Sequence, residues 1–246
     1  MKISGRTHLV ASGFLGCSMT HDSDCNVYAI DCGGEFVLVD SGCGIESDRL
    51  IANLKTDGIP LDRVGMLVLT HGHLDHSGRA RHLRDRLHLQ VAASVPTARA
   101  LEAGDEETIS LAAAKRAGIY PAGVSFEACP VNRTLRDGDQ LRFGESTFET
   151  LEAPGHSRDM INLLVHHADR RDLFCGDTVF HGGRILLQDV ADCDIPAHSQ
   201  TIRRLAALEF DGLYPGHLIG SEQRGQRHLE KAREYLDRLL LRPNII

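Results

Sequence analysis

Residues 70–76 read Thr-His-Gly-His-Leu-Asp-His and directly follow an apolar run at residues 64–69. A continuous apolar run of this length is typical of a strand that is buried on both faces. Imidazole nitrogens and carboxylate oxygens are usual zinc ligands, and several of them in one loop suit a site for two metal ions. The motif therefore predicts metal binding by four side chains: His71, His73, Asp75 and His76.

Three further candidate ligands follow predicted strands in the second half of the chain. They stand in Pro154-Gly155-His156, Gly176-Asp177 and Pro215-Gly216-His217. Each motif alone is weak, because a Pro-Gly-His turn is often a surface turn and a Gly-Asp pair is usually a solvated turn or a helix cap. In this order, after the histidine-rich loop, they are jointly specific and predict His156, Asp177 and His217 as ligands.

The remaining pattern mixes strands and helices, which favours an α/β or α+β layered fold. Gly33-Gly34 predicts a hairpin turn between strands at 26–31 and 35–40. Further strands are predicted at 64–69, 89–93, 134–136, 140–143, 147–152, 161–165 and 173–175, and helices at 47–56, 77–87, 97–118, 196–208 and 221–241. No linker composition interrupts the chain, so we expect one domain over 1–246. The helical segment at about 97–125 is a candidate lid or insertion, and a plain structural role suits it equally.

Composition excludes several classes of function. Lys and Arg number 27 against 34 Asp and Glu, so the net charge is 27 − 34 = −7, and a nucleic-acid partner is not expected. No apolar run approaches the roughly 20 residues of a membrane-spanning helix. The N-terminal residues lack the apolar core of a signal peptide, and seven scattered cysteines form no Cys-x-x-Cys pair. We expect reduced cysteines and a cytoplasmic location.

From the hairpin at 26–40 to Pro215-Gly216-His217, the chain resembles the metallo-β-lactamase superfamily. The resemblance implies a four-layer αββα sandwich, with the metal ions at one edge between two sheets. Matched position by position, His71, His73 and His156 would hold one metal ion. Asp75, His76 and His217 would hold the second, and Asp177 would bridge the two ions. Asp40, in Val39-Asp40-Ser41-Gly42, matches a position that supports the ligand loop from behind.

Within that superfamily, Gly176-Asp177-Thr178-Val179-Phe180 and Gly182-Gly183-Arg184 are similar to the glyoxalase II group. Two features depart from it: the last histidine stands in Pro-Gly-His-Leu, and the glutathione-binding helical tail is not recognised. Asp177 also occupies the position where class B1 β-lactamases carry a cysteine, which argues against a true β-lactamase.

The full ligand set predicts a binuclear metal-dependent hydrolase. A metal-bridging hydroxide would attack a small ester-like substrate, a thioester or a lactone. Asp75 would also orient this nucleophile and move its proton. Two divalent metal ions are expected, with zinc first and manganese or iron as alternatives. His181 and Arg184 are candidate substrate contacts, although a structural surface contact suits Arg184 equally well. No role is assigned to the lone histidines His21 and His198.

Other activities remain open at this stage. The same hydroxide would serve a phosphodiesterase or a lactam or amide hydrolase. A mononuclear iron persulfide dioxygenase would use His73, His156 and Asp177 as its iron ligands. Related diiron electron-transfer proteins carry a flavin domain, for which 246 residues leave no room. The expected partner is a small-molecule substrate, and a homo-oligomer is compatible with the sequence.

Overall fold

The computed structural model describes residues 1–45, 48–238, 240 and 244–245. Backbone contacts divide the chain into two compact units, Met1–Leu135 and Arg136–Ile246. Each unit contains one β-sheet with helices on it. The mixed α/β class predicted from the sequence is therefore confirmed.

The first unit is built on a six-stranded sheet with the strands in sequence order. Strands one to three form an antiparallel meander, and strands three to six are parallel. The turn between the second and third strands is closed by Asp31, whose Oδ1 accepts the N–H groups of Gly33 and Gly34 at 3.0 and 2.8 Å. The strands are β1 (Thr7–Ala11), β2 (Val27–Asp31), β3 (Phe36–Val39), β4 (Val64–Val68), β5 (Gln90–Ser94) and β6 (Arg133–Leu135).

Helices fill the crossover connections that parallel strands require. They are α1 (Asp48–Thr56), α2 (Leu74–Ser77), α3 (Ala80–Leu87), α4 (Val95–Ala103) and α5 (Leu111–Arg116). Leu54 of α1, Leu83 of α3 and Leu101 of α4 are fully buried in one apolar core with Leu38 and Leu67 of the sheet. This packing fixes the end of β4, from which the histidine-rich loop leaves.

Three features of the first unit differ from the sequence prediction. β1 was not predicted from the sequence; it is buried and pairs with β2. The helix predicted at 77–87 is broken at Gly78, where a Cβ would lie 2.3 Å from the carbonyl oxygen of Cys43. The helix predicted at 97–118 is two helices, because Gly104 ends α4 in a left-handed conformation. Whether this segment acts as a lid stays a prediction.

The second unit is built on a five-stranded sheet in the order β11-β10-β9-β8-β7. All neighbouring pairs are antiparallel except β10 and β11, which are parallel and joined through α6. The elements are β7 (Gln140–Phe143), β8 (Ser146–Glu152), β9 (Ile161–His166), β10 (Arg171–Gly176), α6 (Ile195–Leu205), β11 (Gly212–Pro215) and α7 (Gln226–Asp237). Leu173 of β10 packs with Leu205 of α6 and Leu229 of α7 in the core of this unit.

The last helix is shorter than the 221–241 predicted. Ser221 and Leu213 exchange two backbone hydrogen bonds of 2.8 Å, so Ser221 extends the sheet rather than the helix. α7 ends at Asp237, and residues 239 and 241 of the prediction lie outside the described residues. None of the helices in the described part of the chain has the length and apolar character needed to cross a membrane.

Candidate metal centre

The histidine-rich loop leaves the end of β4 and closes into the single turn of α2. The N–H groups of His76 and Ser77 donate to the carbonyl oxygen of His73 at 3.0 and 2.9 Å. The Ser77 hydroxyl donates to the carbonyl oxygen of Gly72 at 2.7 Å. The loop is therefore held by its own backbone, which is what places three imidazoles side by side.

In the first unit the structure brings together the predicted ligands of the loop. The ring centroid of His71 lies 4.6 Å from that of His73 and 4.1 Å from that of His76. Nε2 of His76 is 3.4 Å from Oδ2 of Asp75. All three histidines are buried, whereas Asp75 is partly exposed. Asp75 is thus the predicted ligand of this loop that solvent reaches most easily.

Asp40 lies behind the loop and determines which ring nitrogen His76 presents. Its Oδ2 is 2.8 Å from Nδ1 of His76, and its Oδ1 accepts the N–H of Thr70 at 2.8 Å. A carboxylate only accepts, so Nδ1 of His76 carries the hydrogen and Nε2 keeps its lone pair. Asp40 has a left-handed backbone with φ 64°, which turns its carboxylate back toward the loop. Asp40 therefore supports the histidine-rich loop through hydrogen bonds to His76 and Thr70.

Thr70 links Asp40 to His71 and so fixes which ring nitrogen of His71 carries the hydrogen. Its hydroxyl lies 2.9 Å from Oδ2 of Asp40 and 3.1 Å from Nδ1 of His71. Because the hydroxyl hydrogen goes to the carboxylate, the Thr70 oxygen accepts from Nδ1–H of His71. His71 therefore also presents Nε2, the arrangement that metal-ligating histidines usually show.

Sequence reasoning missed two neighbours of the loop. Burial raises the pKa of the Cys25 thiol to about 12, and its backbone N–H donates to the carbonyl oxygen of Asp75 at 3.3 Å. Burial also raises the pKa of the Tyr120 phenol, and the nearby Asp75 carboxylate raises it further. Both groups stay protonated at neutral pH. No local motif marks either residue, since each comes from a segment distant in sequence.

In the second unit the structure brings together the three remaining predicted ligands. Oδ2 of Asp177 lies 3.5 Å from Nε2 of His156 and 3.4 Å from Nε2 of His217. All three side chains are buried. Nδ1 of His156 donates to the carbonyl oxygen of Leu186 at 2.8 Å, so this imidazole also presents Nε2. One carboxylate oxygen thus faces two imidazoles.

These separations fit ligands of a bound metal ion better than direct hydrogen bonds. Ligand bonds of about 2.1 Å at tetrahedral angles place two donor atoms roughly 3.4 Å apart. The distances from Asp75 to His76 and from Asp177 to His156 and His217 are 3.4, 3.5 and 3.4 Å. Within each unit, the donor types, their burial and their tautomers therefore fit divalent metal ions.

The two lone histidines have structural surroundings. His21 accepts the N–H of Ser23 on its Nδ1 at 3.1 Å, and the same nitrogen is 3.6 Å from Sγ of Cys43. Buried His198 donates from Nε2 to the carbonyl oxygen of Thr178 at 2.7 Å. Burial lowers the pKa of His198, so it stays neutral at physiological pH.

The two predicted substrate contacts lie on the turn that follows Asp177. His181 is half-buried beside His228 of α7, with ring centroids 4.5 Å apart, while Arg184 is exposed. Burial and the positive charges of Arg227, Lys231 and Arg184 lower the pKa of His181. His228 was not predicted, because a single histidine in an amphipathic helix carries no functional signal.

Comparison with known proteins agrees with this arrangement. The family model for the metallo-β-lactamase superfamily matches residues 22–217. The chain belongs to the metallo-β-lactamase superfamily. Its metallo-β-lactamase fold is also that of a solved HARLDQ-motif metallo-β-lactamase from Cronobacter sakazakii. That structure has a TM-score of 0.73 at 16% identity and covers 97% of this chain and 96% of its own.

Curated relatives in the superfamily are hydrolases. Acyl-coenzyme A thioesterase MBLAC2 of Bos taurus is 31% identical over an alignment 220 positions long, which covers 80% of this chain and 75% of that protein. Hydroxyacylglutathione hydrolase GloC of Haemophilus influenzae is 29% identical over 168 residues, 68% of each chain. The predicted family and the predicted enzyme class, a metal-dependent hydrolase, are confirmed.

Proposed function

We propose that this metallo-β-lactamase-superfamily chain is a binuclear thioesterase. The thioester as substrate is supported by the relatives, which are named as a thioesterase of acyl-coenzyme A and a hydrolase of hydroxyacylglutathione. The metal arrangement is supported above all by Asp177, whose single carboxylate oxygen faces the Nε2 atoms of both His156 and His217. We take the substrate to be a small molecule, since the acidic chain offers no basis for nucleic acid.

The ligand assignment follows the family resemblance. His71, His73 and His156 would hold one ion, Asp75, His76 and His217 would hold the other, and Asp177 would be shared. Two divalent ions held there, zinc in the first instance, would supply the acidity that activates a water at neutral pH and polarises a thioester carbonyl.

Residues of the chain would orient the imidazole ligands and move the proton of the reaction. Asp40 accepts Nδ1–H of His76, and the Leu186 carbonyl oxygen accepts Nδ1–H of His156, so Nε2 is the nitrogen that each ring would present to a metal ion. Asp75, which is partly exposed, would accept a proton from an attacking water and pass it to the leaving thiolate. The leaving thiolate needs little help, because thiols are far more acidic than alcohols.

Metal content and thiol release test this proposal together. We expect about two zinc or manganese ions per chain in protein purified without added metal. Adding acyl-coenzyme A or an S-acylglutathione should release a free thiol, and a chelator should stop it. One iron ion per chain with persulfide-dependent oxygen uptake, and no thiol release, would contradict the thioesterase and favour the dioxygenase.

Asp177→Asn tests the shared ligand directly. The amide keeps the shape but loses the negative charge, so we expect second-metal occupancy to fall below half and kcat to fall at least 100-fold. Asp169→Asn, at an exposed turn of the same unit, is the matched control and should retain both metals. An Asp177→Asn enzyme with two metals and full turnover would show that the bridging assignment is wrong.

A further inference from the structure

A cavity of about 370 Å³ lies between α7 and the turn His181–Gly183. We call it the α7 groove. The turn contributes His181 and Gly182, and α7 contributes Arg227, His228 and Lys231, with Glu230 and Glu234 on the same side of the helix. The groove lies within the second unit, and its turn starts four residues after Asp177.

The inner wall of the groove is held in place by hydrogen bonds. Gly182 N–H donates to Nδ1 of His228 at 2.9 Å, so Nε2 of His228 carries the hydrogen. That Nε2 is 2.8 Å from the Ser221 hydroxyl oxygen, to which it donates. His228 is therefore neutral, and burial with the nearby charges of His181, Arg227 and Lys231 lowers its pKa to about 4. Because Nε2 of His228 carries the hydrogen, this imidazole cannot accept a proton from the Ser221 hydroxyl, and the two residues do not form a nucleophile and its base.

Positive charge at the groove is not balanced by ion pairs. Among the described residues, neither Arg227 nor Lys231 forms an ion pair with a carboxylate. Arg233 of the same helix, by contrast, lies 3.9 Å from Asp237. Arg227, Lys231 and Arg184 together repel a proton on His181. Glu230 and Glu234 line the same groove but, within the described part of the chain, pair with neither cation, so Arg227 and Lys231 can both donate to a bound anion.

Charge along α7 confines the anion to one end of the groove. Arg227 stands in the first turn of the helix, where the helix dipole also favours negative charge. Glu234 lies seven residues later, about 10 Å further along the axis. Glu230 and Glu234 also line the groove, so an anion must bind over Arg227 and Lys231, which stand about one helical turn apart. A phosphate has several acceptor oxygens and can engage both cations at once.

We propose that the α7 groove binds a phosphate group. Arg227 supplies a planar fork of donors, Lys231 supplies an ammonium group, and His181 lies beside them. Gly182 has φ 77° and no heavy atom within 4 Å of a Cβ position, so the turn stays open above the groove. In the context of the proposed thioesterase, on which this reading rests, the phosphate is either carried by the thiol half of the substrate or free in solution.

Calorimetry on the metal-loaded enzyme tests the groove without relying on turnover. The titrants are inorganic phosphate and coenzyme A, a phosphate-bearing thiol. We expect both to bind, and Arg227→Gln/Lys231→Gln to weaken both affinities at least tenfold. Arg233→Gln, on the same helix but outside the groove, is the matched control and should bind both as the unmodified enzyme does. Unchanged affinities in the double variant, or no binding by the unmodified enzyme, would overturn the proposal.

Inhibition kinetics on the unmodified enzyme identify the source of the phosphate. Two thioesters with the same acyl group are compared: the coenzyme A ester and the N-acetylcysteamine ester, which has no phosphate. Inorganic phosphate that raises KM only for the coenzyme A ester supports a groove occupied by the substrate's own phosphate. Phosphate that binds but leaves both KM values unchanged supports a site for the free anion. If neither ester is hydrolysed, the proposed thioesterase function is wrong. Calorimetry still tests whether the α7 groove binds phosphate.

Discussion

Nε2 of His198 donates a hydrogen bond to the carbonyl oxygen of Thr178 over 2.7 Å, directly beside Asp177. The same residue packs against another predicted ligand turn of its unit, because a Cβ on Gly155 would lie 2.4 Å from Cα of His198. Gly155 precedes His156. One buried histidine on α6 therefore supports the turns that present two predicted metal ligands.

Replacing His198 should weaken both stability and metal binding. His198→Leu leaves the buried Thr178 carbonyl without its donor, which costs about 1–3 kcal/mol in the free energy of unfolding. We also expect weaker metal binding in the folded variant, measured by chelator competition. His198→Gln, which can still donate, should restore part of the metal affinity. Exposed Gln200→Ala on the same helix is the control. Equal metal affinity in His198→Leu and the control would show that His198 contributes to stability and not to metal binding.

Gly155→Ala should be much more damaging than an ordinary turn substitution. Its new Cβ would meet backbone and side-chain atoms of His198, so the His156 turn or α6 must shift. We expect a loss of about 3 kcal/mol in the free energy of unfolding, or a folded protein with reduced metal content. Gly138→Ala is the matched control, since φ is 79° there and nothing lies within 4 Å, so only strain of about 1 kcal/mol applies. Equal losses in urea denaturation would contradict the steric argument.

Asp40→Asn should lower metal affinity while preserving the fold. The amide is nearly the same size, but it removes the negative charge that orients His76 through Nδ1. Loss of such a supporting group typically reduces metal affinity 10–100-fold, so about that reduction is expected in competition with a chelator. Asp31→Asn, in the β2–β3 turn, is the control and should bind metal normally. Unaltered affinity in Asp40→Asn would remove Asp40 from the supporting role.

The stability of the protein should depend on pH through His228. Its pKa is lowered from 6.5 to about 4 by burial, His181, Arg227 and Lys231, so between these values the unfolded chain binds a proton that the folded chain does not. The free energy of unfolding therefore falls as the pH falls, by about 2 kcal/mol for this group between pH 7.5 and 5. In His228→Gln the free energy of unfolding should fall less with decreasing pH, by the amount that His228 contributes. Parallel pH profiles of the two proteins in urea denaturation would contradict the assignment.

The sequence by itself determined the family, the mixed α/β class and the identities of the predicted ligands. Such information is local: the ligand types of residues 71–76 stand in one loop, and Pro154-Gly155-His156 and Pro215-Gly216-His217 are tight turns with recognisable residues. Strands with strong apolar runs, such as β4, were predicted for the same reason. β1 was missed because Thr7 and His8 dilute its pattern, and only pairing with β2 buries it.

Tertiary structure decided what those ligands can do. The tautomers of His76 and His156 depend on Asp40, 36 positions away, and on Leu186, 30 positions away. The roles of His198 and His228 likewise come from contacts with Thr178 and Gly182, 20 and 46 positions distant. A hydrogen bond forms between whichever donor and acceptor the packed chain brings within about 3 Å, and no local pattern of residues records that choice.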